Sequence, residues 1–185
     1  MLELQGLVRV EHGFQGGAFV AEAGSGPVSE ALETMLRLQH LDRAEIYTAR
    51  RYLEPNIAAL AAVGLDAETR VALQGNLTES GRRLAAGRPA FTTNLEFHRL
   101  VAGSCGNRIL TLTADAVLEL LRAVESRKPS DAKVNREARE AHAAILTALL
   151  AGDAGRARAA MEVHLEWLER SFVASRVART VRGEP

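Results

Sequence analysis

The chain has 185 residues, 47% of them hydrophobic and 25% charged, which excludes wholesale disorder and suits one packed domain, or a domain with a fragment of another. Its 23 Lys and Arg against 23 Asp and Glu leave no net charge, so these residues alone lack the basic excess of a free-standing nucleic-acid binder. The lone Cys105 excludes an internal disulfide, and with no signal peptide and no apolar run of membrane-spanning length the expected location is the cytoplasm.

In chain order, Leu7–Val10 alternates apolar and polar, His12–Gly17 supplies turn residues, and Ala18–Ala21 resumes the extended pattern. This predicts a β-hairpin within residues 1–22, a pair of strands that needs something to lean on. Residues 23–27 punctuate like a linker. From Val28 every segment has helical periodicity, and few aromatics with abundant Ala and Leu point the same way. A first helix carries Leu32, Met35, Leu36 and Leu38. Others are expected over about 42–63, 67–86, 93–103, 107–126, 132–150 and 154–181, with Thr93 and Glu96 read as a capping box. The fold class is therefore all-α, an antiparallel bundle of six to seven helices over residues 28–185.

Three of the five histidines fall inside helices: His98, His142 and His164. His142 and His164 stand on either side of the turn at Gly152-Asp153, with legs of nearly equal length, so a helical hairpin brings both imidazoles to one level. Asn94 and His98 are four apart and share a helix face. Three neutral imidazoles and an amide oxygen suit a borderline divalent ion such as Zn²⁺ or Ni²⁺, and three histidines leave a coordination position open. The alternative is three unrelated histidines, each satisfied by a backbone carbonyl. A di-iron pattern does not fit, because Glu96, Glu140 and Glu162 each precede a histidine by two residues and turn towards solvent.

With these residues in view, the chain resembles the GntR family of bacterial transcription regulators, in its FadR-type branch with the FCD effector domain. The resemblance rests on Glu45, Arg50 and Glu54 in one stretch and on the alanine-rich run at Ala58–Ala62. It continues in the Asn94–His98 element, the Gly106-Asn107 pair, and the late His142, Gly152-Asp153 and His164. It implies a divalent metal held by Asn94, His98, His142 and His164, where the first ligand is more often Asp. The effector it implies is a small organic acid that coordinates the metal and meets a basic group. Arg50 is the candidate for that group, with a structural salt bridge to Glu54 or to another helix as the alternative. Asn107 is a second candidate for effector contact, with a helix N-cap as its other reading.

The resemblance also makes the N-terminal hairpin the wing of a winged helix-turn-helix whose preceding helices are missing, so DNA would be met only through an incomplete module. Either the chain starts at an internal methionine or it is a natural sensor that has lost its reader. A homodimer is implied, involving the first helices and the tail bearing Arg170, Arg176, Arg179 and Arg182, unless that tail is a solvated basic face. The expected function is sensing and not catalysis. A metal-dependent hydrolase would need a carboxylate poised near the histidines, and Glu166 and Glu169, the nearest after His164, carry no matching motif. A metal-free ligand-binding or dimerisation module is the third reading.

Overall fold

The computed structural model describes residues 8–11, 13, 16–20, 31, 34, 43–125 and 132–182, with side chains in the last helix to Ser171. Strands β1 (Val8–Glu11) and β2 (Gly17–Val20) form an antiparallel pair in the register Val8 opposite Val20 and Glu11 opposite Gly17. The expected helix after residue 28 lies outside the described residues, except that Ala31 and Thr34 are each helical. Arg176, Arg179 and Arg182 of the expected dimer tail are among the undescribed side chains, while Arg170 is exposed.

Among the described residues six helices follow: α1 (Arg43–Gly64), α2 (Ala67–Ala85), α3 (Phe91–Gly103), α4 (Arg108–Glu125), α5 (Ala132–Leu150) and α6 (Ala154–Arg182). The all-α bundle is thus observed. Among the described residues no helix is long and apolar enough to cross a membrane.

Helix α1 is the axis of the bundle, packing against α3, α4, α5 and, most extensively, α6. Its buried Ile57, Ala58, Ala61 and Ala62 explain why. Three alanines on the inner stripe let neighbouring backbones approach closely, and burying a helix face is what stabilises a helix of this length in water. The same stripe carries Tyr47, Arg50 and Glu54 into the interior at its N-terminal end.

The α5–α6 hairpin is closed by Gly152 at φ 67°, a left-handed conformation that only glycine adopts freely. Gly152 N–H donates to Leu149 O and Asp153 N–H to Ala148 O, both at 3.1 Å, which is a Schellman termination. Asp153 Oδ1 then accepts from Arg156 N at 2.9 Å and starts α6. One tight turn therefore fixes the register of α5 against α6.

The start of α3 departs from expectation. The helix begins at Phe91, with no side-chain cap at Ala90, so Thr93 sits inside it and not at its end. Thr93 is buried, its carbonyl accepts from Asn76 Nδ2 at 3.0 Å, and Glu96 turns outward towards Arg99. The capping box fails because burial of Ala90 and Phe91 against the bundle carries the helix one turn further back than local hydrogen bonding alone would.

Candidate metal centre

Three helices bring the histidines together. His98 comes from the middle of α3, His142 from α5 and His164 from α6, and all three are buried, at 4%, 1% and 2% exposure. Their Nε2 atoms form a triangle with edges of 3.1 Å (His142–His164), 3.2 Å (His142–His98) and 3.3 Å (His164–His98). Three ring nitrogens cannot all be hydrogen-bonded to one another, because a neutral imidazole carries one N–H. Such a triangle puts each corner ~1.9 Å from the common centre, close to the ~2.0–2.1 Å of a Zn–N bond.

The neighbours fix the rings. Glu54 Oε2 lies 2.5 Å from His98 Nδ1, a contact that favours the ring proton on Nδ1 and turns Nε2 towards the centre. Phe97 stacks on His142, with centroids 4.1 Å apart and planes 7° from parallel, and Trp167 lies 6.3 Å from the His164 ring. Burial and the mutual proximity of the rings hold the His142 and His164 protonation equilibria well below the ordinary imidazole range. Burial likewise lowers that of His98, against the opposing pull of Glu54. All three imidazoles are therefore neutral near pH 7, the form a metal requires.

Asn94, one helical turn before His98, faces the same cavity. Its Nδ2 donates to Asn135 Oδ1 at 3.2 Å, while its Oδ1 is buried without a hydrogen-bond partner. An orphaned buried carbonyl oxygen beside three converging ring nitrogens is an unfavourable cluster by itself, and one that a cation relieves. The donor set and its spacing can thus hold a metal ion.

Arg50 is also buried, and its Nε lies 2.5 Å from Glu54 Oε1, so the salt bridge weighed from the sequence is present. Arg50 still lines the cavity with the histidines, Asn94, Asn135 and Tyr47. Burial raises the Tyr47 phenol to about 12, Arg50 opposing, so it stays a neutral donor. The cavity measures about 50 Å³, and the rest of its wall is apolar, Phe91, Leu121 and Leu168 among it. A larger hollow of about 380 Å³ between α1 and α6 contains no histidine and is lined mostly by exposed side chains, Tyr52 and Arg158 among them.

Asn107 is not brought to the cavity. It is exposed and caps α4, its Oδ1 accepting from Ile109 N at 3.0 Å and Leu110 N at 3.2 Å. Glu166 and Glu169 pair with Arg51 on the outside of α1, at 3.3 and 2.8 Å, away from the histidines. Sequence reasoning missed three contributors: Glu54 as the partner of His98, Asn135 as the partner of Asn94, and Tyr47. The signal was helical spacing, since Asn135 is two turns before His142 and Tyr47 and Glu54 flank Arg50 by three and four residues.

The FCD domain family model matches residues 45–166, from the first turn of α1 to the middle of α6. The HTH-type transcriptional regulator LutR of Bacillus subtilis (strain 168) is 29% identical over 177 residues, covering 91% of this chain and 78% of that protein. Among solved structures, Streptococcus agalactiae GntR superposes with a TM-score of 0.73 at 21% identity, over 92% of this chain and 77% of that one. E. coli McbR/YncC follows with a TM-score of 0.60 at 18% identity, over 94% and 76%. The family match and the likeness to LutR point to a regulator and not to a hydrolase. The matched segment contains nearly all of α1, all of α2 through α5, and Arg50, Glu54, Asn94 and the three histidines, and the chain belongs to the FCD domain family, as the effector-sensing domain of a GntR-type transcription regulator.

Proposed function

We propose that this domain senses a small organic acid through a divalent ion, Zn²⁺ or Ni²⁺, held by His98, His142, His164 and Asn94. The observation that carries the reading is the triangle of Nε2 atoms at 3.1–3.3 Å, buried and neutral. When bound, the ion offers an electrophilic contact for one carboxylate oxygen of the acid. Glu54 holds the His98 ring in the metal-binding tautomer. Arg50 meets the acid from α1, and the apolar wall formed by Phe91, Leu121 and Leu168 excludes bulk water from the contact.

Because α1 contributes Arg50 and Glu54 while α3, α5 and α6 contribute the imidazoles, acid binding draws α1 against three other helices. In a homodimer that movement alters the spacing of two DNA-reading modules, with the β1–β2 hairpin as the wing of a winged helix. The shift is bounded by the acid's difference in affinity for the two arrangements.

Elemental analysis of protein purified without chelators tests the reading. About one divalent ion per chain is expected for the native protein, and loss of that ion in a His98→Ala, His142→Ala double variant. Equal trace metal in both proteins would leave only a metal-free ligand-binding or dimerisation module. A thermal-shift screen of small organic acids on the metal-loaded protein then identifies the effector class.

A further inference from the structure

We infer that Asn94 makes this centre depend on an anion: a divalent ion and a small carboxylate occupy the cavity cooperatively, because the protein's own donors there carry no net charge. The inference rests on the reading of the histidines as metal ligands and adds the coupling between metal and acid.

Charge accounting leads to it. Three buried imidazoles, with Nε2 atoms converging at 3.1–3.3 Å, contribute no charge as metal ligands. Asn94 contributes a buried, unpartnered amide oxygen and again no charge. Among the described residues Arg50 and Glu54 are the one guanidinium and the one carboxylate that are buried, and at 2.5 Å they cancel each other. An ion of charge two therefore enters a buried, largely apolar site uncompensated. Removing an unpaired charge from water is among the most unfavourable steps a protein interior can take. A carboxylate entering beside the ion removes half of that imbalance and supplies a further oxygen donor. About 50 Å³ admits an anion of few atoms, since a water molecule alone needs ~10–15 Å³ on this measure. By linkage, whatever factor the anion adds to metal affinity, the metal adds to anion affinity.

The experiment titrates Zn²⁺ into the full chain against a chromophoric chelator, in buffer free of carboxylate and phosphate. It is repeated with acetate and with acetamide, which has the same size and no charge. In the native protein acetate should tighten Zn²⁺ binding by about 5- to 150-fold, the range of ordinary site-to-site coupling, and acetamide should leave it unchanged. Acetate also complexes free Zn²⁺, which works against the expected direction. Asn94→Asp, which supplies the missing charge, should bind Zn²⁺ more tightly without acetate and lose most of the acetate effect. Asn94→Ser, neutral like the native residue, should keep the effect even where its overall affinity drops, which separates charge from a general disturbance of the site.

Native protein that binds one Zn²⁺ equally well with and without acetate overturns the inference and leaves the metal reading standing. So does acetamide matching acetate, or Asn94→Asp retaining the full acetate effect. Folded native protein that takes up no Zn²⁺ under any of the three conditions overturns the metal reading itself, and the inference with it.

Discussion

Glu54 holds His98 by its far side: Oε2 of the carboxylate stands 2.5 Å from Nδ1, so the ring presents Nε2 to His142 and His164. The other oxygen takes Arg50 Nε at 2.5 Å. Burial by itself would push the Glu54 carboxyl up. Arg50 and His98 more than offset it, and the group is held well below the usual carboxylate range. A permanently ionised carboxylate thus ties the axial helix of the bundle to the His98 ring of α3.

Glu54→Gln should separate two effects. It leaves Arg50 buried without its counter-charge, a loss of about 3–5 kcal/mol, and it weakens the orientation of His98, a loss of about 10- to 100-fold in metal affinity. Replacing both partners, as in Arg50→Met with Glu54→Leu, should recover most of the stability and none of the metal affinity. Urea unfolding and chelator competition on the same samples check this. Equal recovery of both quantities in the double variant would mean that Glu54 is only a structural ion pair.

Acid should destabilise the metal-free domain, beginning near the ordinary imidazole range. His142 and His164 are held well below their usual values in the folded state, by burial first and then by the neighbouring imidazoles and Arg50. In the unfolded chain they titrate near ~6.5. Below that value the unfolded state binds protons that the folded state refuses, so the stability present above about pH 6.5 is lost as pH falls. Glu54, whose carboxyl is also depressed, adds a loss of the same sign once pH drops below the usual carboxylate range. Melting midpoints of chelator-treated protein from pH 8 to pH 5 should decline. A His142→Phe, His164→Phe variant should show a flatter curve over pH 7 to 5.5, and an unchanged slope there would refute the assignment.

The helices were legible because their signals are local. Gly152-Asp153 marks a helix end and a helix start within two residues, and the apolar stripes around His142 and His164 repeat at helical spacing, so the meeting of those imidazoles followed from chain geometry alone. His98 joined them through Asn94 and the family likeness, since nothing in α3 by itself says which partner helix it faces. What stayed hidden depends on contacts between helices far apart in sequence. Glu54 reads as an intrahelical partner of Arg50, and its second oxygen finds His98 only because alanines bring α1 close to α3. The capping box at Thr93 was a local signal that tertiary burial overrode.

Exposed charge clusters should matter far less than the buried one. Glu119 on α4 takes Arg99 from α3 and Arg122 one turn along its own helix. The partners are 26–50% exposed, so solvent screens much of the attraction. Glu119→Ala should therefore lower stability by no more than about 1 kcal/mol and leave metal content unchanged. Unfolding curves set beside those of Glu54→Gln give the contrast, and a loss as large as that of Glu54→Gln would show that screening is weaker at α3–α4 than the exposure implies.

Asn107→Ala distinguishes the two roles that its sequence position allows. The side chain caps α4, with Oδ1 on the Ile109 and Leu110 amides, and it does not line the histidine cavity. Losing an N-cap of this kind removes acceptors from two otherwise orphaned amides and costs about 1 kcal/mol. Helix α4 packs on both α1 and α3, so the loss should appear in global unfolding and not as local fraying alone. Metal content and the thermal shift produced by an effector acid should match those of the native protein once the lower starting midpoint is subtracted. An acid affinity reduced tenfold at unchanged metal content would instead place Asn107 in contact with the ligand, which would require the α3–α4 loop to fold over the cavity when the acid binds.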